Sequence, residues 1–162
     1  MKSTKKLTTL AVTVSVAMIL SYVESMIPAF VAIPGVKMGL ANIAIIFTLY
    51  KLGWREAIVV SLIRVALVAL LFGSAVSLAY SFAGAVLSLA VMILLRKTGL
   101  FTEVAVSVVG GIMHNVGQIC MAFLLLESEF VFYYLPFLLV SGIIAGIAIG
   151  IASALLVKKI KM

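Results

Sequence analysis

The chain has 162 residues, of which 65% are hydrophobic and only 10% charged, with a formal net charge of +7 and a mean hydropathy of +1.37. That composition excludes a soluble globular domain and points to an all-α integral membrane protein forming a single transmembrane domain over residues 1–162. The basic residues fall in short clusters between apolar runs, a membrane-topology pattern that argues against a nucleic-acid partner.

A spanning helix needs about 20 apolar residues at 1.5 Å of rise each. On that basis six helices are predicted: Leu7 to Met26, Met38 to Tyr50, Ala57 to Phe72, Val76 to Leu95, Val104 to Leu126, and Phe132 to Val157. Lys2, Lys5 and Lys6 precede the first, as they would in a signal peptide. The apolar run is too long for one, ends in Glu24 and lacks a small-x-small cleavage site, so it reads as a retained helix. Basic clusters occupy the amino terminus, the second and fourth loops (Lys51 and Arg55, then Arg96 and Lys97) and the carboxyl terminus (Lys158, Lys159, Lys161). The other loops hold Lys37 alone among basic residues. The positive-inside rule then predicts a compact bundle of six transmembrane helices with both termini in the cytoplasm. Trp54 and Tyr50 at one surface, and Phe132, Tyr133 and Tyr134 at the other, suit interfacial anchors.

The stretch from Glu24 to Asn42 interrupts this pattern. Pro28, Pro34 and Gly35 prevent one helix from running through it, because proline lacks an amide donor and clashes with the preceding turn. The second helix covers only about 20 Å of a core roughly 30 Å thick. If it begins part-way down, Lys37 and the amides after Gly35 sit at the positive end of a helix dipole in a cavity open to the outside, where an anionic group is favoured. The alternative is an ordinary surface loop with Lys37 in water.

Arg64 lies inside the third helix, where insertion costs about 2.5–3.5 kcal/mol. With no acidic residue in the interior of any helix, it either faces a cavity and a ligand or snorkels to the cytoplasmic headgroups. In the fifth helix His114, Asn115 and Gln118 share one face with Gly111 and Ala122. Interhelical hydrogen bonding explains such a stripe, but three large polar groups within five residues also suit a ligand-facing wall. Gly142, Gly146, Gly150 and Ala154 in helix six, and Ser77, Ser81, Gly84 and Ser88 in helix four, are spaced for close backbone approach. In helix one, Thr13, Ala17 and Ser21 run beside Ala11 and Ser15, a smooth face that packs internally or docks another membrane protein.

No phosphate-binding loop, nucleophile constellation or aspartate is present, and Cys120 and His114 are the only residues of their kinds. The expectation is a protein without catalytic residues, cofactor or metal, not an enzyme.

Taken together, Glu24 through Pro28, Pro34-Gly35-Val36-Lys37-Met38-Gly39-Leu40-Ala41-Asn42, Arg64, His114-Asn115-Val116-Gly117-Gln118, Tyr134-Leu135-Pro136 and Ser141-Gly142 resemble the Gx transporter family. That family is also labelled heptaprenyl diphosphate synthase component I. The resemblance implies a multi-pass protein of the prokaryotic plasma membrane, similar to the S components of energy-coupling factor (ECF) transporters. Such a subunit binds a small molecule from outside under mobile outer loops. It works with an ECF transmembrane coupling subunit and cytoplasmic ATPases. The expected substrate contacts are Glu24, Lys37, Asn42, Arg64, His114, Asn115 and Gln118. The paired alanines of S-component docking are not present in strict form, so Ala11 with Ser15, or Thr13 with Ala17, stand in. The competing expectation is an accessory membrane subunit of a polyprenyl diphosphate synthase or quinone-biosynthesis system, whose diphosphate and magnesium chemistry a chain without aspartate does not itself provide.

Overall fold

A computed structural model describes residues 3–26, 39–72 and 75–160. Among them are six α-helices and no strand: α1 Ser3–Met26, α2 Asn42–Lys51, α3 Trp54–Phe72, α4 Ala75–Thr98, α5 Glu103–Leu126 and α6 Leu135–Lys159, with a short 3₁₀ helix, Glu129–Tyr134, leading into α6. Local chemistry sets the helix ends. Thr102 caps α5 by accepting from the Ala105 amide at 3.2 Å, Gly99 ends α4 in the left-handed region at φ 69°, and Pro136 sits in the first turn of α6.

Four stretches are long and apolar enough to cross a membrane: Thr4–Met26, Ala75–Thr98, Glu103–Leu126 and Glu129–Lys159. The two other helices differ for physical reasons. The 19 residues of α3 include three charges, Arg55, Glu56 and Arg64. The second helix has only 10 residues, about 15 Å of rise, and starts at Asn42 after a tight turn at Gly39 to Ala41. Met38, its expected start, lies outside the described residues. Every side chain from Ala44 to Leu49 is buried, as expected of a helix that is apolar all round. It packs against α1, α3 and α6 and carries Ile45, Ile46 and Leu49 into the core with Val60, Met92 and Val106. The outer surface is apolar, with Leu70, Leu124, Ile144 and Leu155 all prominently exposed, the surface of a protein solvated by lipid.

α5 is held tightly between α4 and α6. A Cβ placed on Gly111 would lie 2.6 Å from the Gly142 carbonyl oxygen, one on Gly146 2.6 Å from Val108 Cα, and one on Gly150 2.8 Å from Val104 Cα. On the other side, a Cβ on Gly117 would lie 2.7 Å from Ala83 O, and the Ser88 hydroxyl donates to Gly110 O at 2.8 Å. The glycine and serine stripes of helices four and six therefore act as backbone contacts. By contrast α1 packs chiefly on α2 and α3 and is the least covered of the long helices. Lys6 ion-pairs with Glu56 at its start.

The basic clusters share one end of the bundle. Besides the Lys6 to Glu56 pair, Arg96 donates to Tyr50 O at 3.3 Å and Lys97 lies over the Trp54 ring, so the start of α1, the α2–α3 junction and the end of α4 meet. Phe132, Tyr133 and Tyr134 are exposed near the opposite end.

Gly146→Ala should force α5 and α6 apart, because its new methyl meets backbone. Overpacking of this kind costs about 1–3 kcal/mol. Ile144→Leu, on the exposed face of the same helix, should change stability by less than about 0.5 kcal/mol. Thermal unfolding in detergent, comparing the two variants with the parent chain, checks this.

Candidate functional site

A cavity of about 50 Å³ lies inside the bundle, lined by residues from α2 to α6 and by Gly39. Its polar wall contains Asn42, Arg64, His114 and Asn115, and Ile46, Val65 and Ile149 are among its apolar residues. That volume accommodates a few water molecules, so a larger guest requires the helices around it to separate. Four of the seven residues expected to contact a ligand thus meet at one place.

Each is positioned by its own helix. Asn42 is the first residue of α2, and the turn before it depends on Gly39 at φ 73°, a conformation that side chains oppose. Gly39 also has to be small: a Cβ there would sit 3.3 Å from Asn42 Nδ2 and 3.3 Å from Ile149 Cδ1. His114 leans over Gly84, where a Cβ would come within 2.9 Å of the imidazole Cε1 and Nδ1. The small residue of α4 therefore makes room for the ring. Asn115 is buried and its Nδ2 donates to Leu138 O at 2.5 Å, joining α5 to α6. The helix-five stripe accordingly divides: Asn115 serves both the wall and an interhelical bond, while Gln118 is buried outside the cavity lining, with no hydrogen-bond partner for Oε1 among the described residues.

Arg64 turns inwards, away from the headgroups. Its Nε donates to the Ser21 hydroxyl at 3.3 Å, and Glu24 is near enough to act on it electrostatically. Glu24, in the last turn of α1, adds a favourable charge at longer range, with no direct ion pair to Arg64. Glu24 does a second job by accepting a hydrogen bond from the Gly39 amide. The described part of the head of helix two is satisfied internally. The Asn42, Ile43 and Ala44 amides are bonded to Gly39, Leu40 and Ala41 carbonyls at 2.8, 3.1 and 3.1 Å, and the carboxylate beside the turn is the chain's own. These three amides need no foreign anion; those directly after Gly35 lie outside the described residues. Lys37, and with it the predicted lid, lies outside the described residues.

On α1, Thr13 and Ala17 are covered by the chain itself, whereas Ala11 and Ser15 remain exposed. The two expected docking pairs therefore lie on different faces, with Ser21 and its Arg64 contact continuing the inner one. Ser21 had a visible signal, its place four residues after Ala17. The contributions of Ile46, Met92 and Ile149 to the cavity had none, since apolar residues in apolar helices do not stand out.

An all-helical bundle with an apolar exterior, four stretches long and apolar enough to cross a membrane and a small internal cavity defines the class: a helical membrane protein. More narrowly, the chain belongs to the heptaprenyl diphosphate synthase component I family, whose model matches residues 13–156. Comparisons with curated proteins and with solved structures found no match.

If Glu24 and Arg64 interact across the α1–α3 boundary, Glu24→Gln and Arg64→Gln should each lower thermal stability, and the double variant should lose less than the sum. A coupling of about 0.5–3 kcal/mol is expected for residues in contact or sharing a network. Strict additivity in melts of the four proteins would show that the two groups do not sense each other.

Proposed function

We propose that the chain is the membrane-embedded substrate-binding subunit of an ECF-type importer, capturing a small metabolite or vitamin-like molecule from the outside. The observation that carries this reading is the cavity at the middle of the bundle, with Asn42, Arg64, His114 and Asn115 converging on it from three helices. A few placed polar groups within an apolar enclosure are what a small-molecule site needs for orientation and affinity. With Arg64 beside Asn42, His114 and Asn115 in its wall, the site suits a neutral or zwitterionic polar guest as well as an anion. In this reading the basic end of the bundle faces the cytoplasm. Ala11 and Ser15, on the open face of α1, meet the coupling subunit, and ATPases on other chains supply the energy. The chain itself binds and releases without catalysing a reaction.

The family description supports a second reading, in which the protein is an accessory membrane subunit of a polyprenyl diphosphate synthase. Among the described residues no three His, Cys, Asp or Glu side chains cluster, and the chain has no aspartate. Under that reading the diphosphate chemistry belongs to the partner.

The purified full-length protein distinguishes the two. A transport subunit should be thermally stabilised by a member of a broad metabolite panel, and mass spectrometry after gentle solubilisation should find a bound small molecule. His114→Ala should reduce that stabilisation by at least half. A panel without any stabilising compound, together with co-purification of a prenyl diphosphate synthase, would reverse the assignment.

A further inference from the structure

At the basic end, the start of α3 and the end of α4 lie side by side. Trp54, the chain's only tryptophan, is 42% exposed, and two cations lean on its ring. The Arg55 guanidinium carbon is 5.2 Å from the ring centroid and the Lys97 ammonium 5.5 Å. Each contact is favourable by itself, yet the charges repel. Their separation cannot exceed the sum of those distances, comparable with the screening length of about 8–10 Å in ordinary salt.

Among the described residues no salt bridge engages Arg55 or Lys97. Glu56 is close enough to sense Arg55 but is ion-paired with Lys6, the sole salt bridge among the described residues. Glu103 acts on Tyr50. Arg96, the adjacent cation, is engaged with the Tyr50 ring and carbonyl. Beside these charges, the α4–α5 connection exposes Leu100 at 83% and Phe101 at 44%.

We propose that Trp54, Arg55 and Lys97 form a site for the phosphate of an anionic phospholipid headgroup. An anion within reach of both cations offsets their mutual repulsion, and the site lies at the end of α4, a helix long and apolar enough to cross a membrane, where headgroups reside. A phospholipid also brings acyl chains to cover Leu100 and Phe101, which a free anion or an acidic polypeptide does not. Basic pockets between spanning helices recognise lipid phosphates in this manner. The inference does not depend on the transport reading.

Trp54 makes the test direct, because tryptophan fluorescence of the whole protein reports from the site alone. In neutral detergent, dioctanoyl phosphatidylglycerol should produce a saturable change in emission, at a midpoint at least about fivefold lower than dioctanoyl phosphatidylcholine. Inorganic phosphate and polyglutamate should produce none over the same range. Removing both charges in Arg55→Gln/Lys97→Gln should raise the midpoint about 25-fold, at roughly fivefold per charge. Lys158→Gln/Lys159→Gln, at the same end but off the ring, should leave it in place. Thermal melts confirm folding, and either single variant replaces a double variant that melts early. Equal midpoints for the two lipids, a response to phosphate or polyglutamate as strong as to phosphatidylglycerol, or an unchanged midpoint in the Arg55 and Lys97 variants would overturn the site.

Discussion

Close approach between helix backbones is the constraint on which this molecule rests. Lipid tails are as apolar as leucine, so helices in a membrane gain little by hiding apolar surface from the solvent and must be held by dispersion contacts and hydrogen bonds. Glycines and serines on α4, α5 and α6 satisfy that requirement. Gly111 faces Gly142, Gly146 faces Val108, and Ser88 bonds the Gly110 carbonyl. The resulting three-helix slab fixes α5 in register, and register decides which way His114 and Asn115 point. The same choice of small residues that brings the backbones together also leaves the space beside them: Gly84 admits the imidazole of His114, and Gly142 lies against the amide of Asn115.

The second theme is internal charge balance. A half-buried arginine without a partner would be costly in this setting. Ser21 accepts from it on one face of α1, and one turn further along Glu24 receives the Gly39 amide. The last turns of α1 therefore join the turn before α2, through Glu24, and the interior of α3, through Ser21. Asn42, which opens α2, enters the cavity as a consequence of the same turn.

Much of this was readable from residue order, and the failures have particular causes. The spans of α1, α4, α5 and α6 follow from long apolar runs, and the glycine spacing of α6 announced its contact face. The orientation of Arg64 did not follow, because it is decided by Ser21 and Glu24 on another helix and local spacing carries no information about that. The same limit applies to His114, Asn115 and Gln118. They share a helical face, yet two line the cavity and the third does not, since a cavity ends where neighbouring helices converge. Helix two begins at Asn42, later than its hydropathy predicts, because the left-handed turn at Gly39 has no hydropathy signature. On α1, Ala11 with Ser15 and Thr13 with Ala17 looked equivalent in spacing, and only the packing of α2 and α3 separates an inner from an outer pair.

These features give the bundle uneven stiffness. The α4–α6 slab resists bending because any displacement drives backbone into backbone. α1 is fastened at intervals by polar groups: Lys6 to Glu56 at one end, Ser21 to Arg64 further along, and Glu24 to Gly39 at the other. Hydrogen bonds and ion pairs can be exchanged for others at modest cost, whereas interlocked glycines cannot. The compliant side of the molecule is therefore α1 with the head of α2, and two of its polar fastenings end on residues of the cavity wall, Arg64 through Ser21 and Gly39 through Glu24.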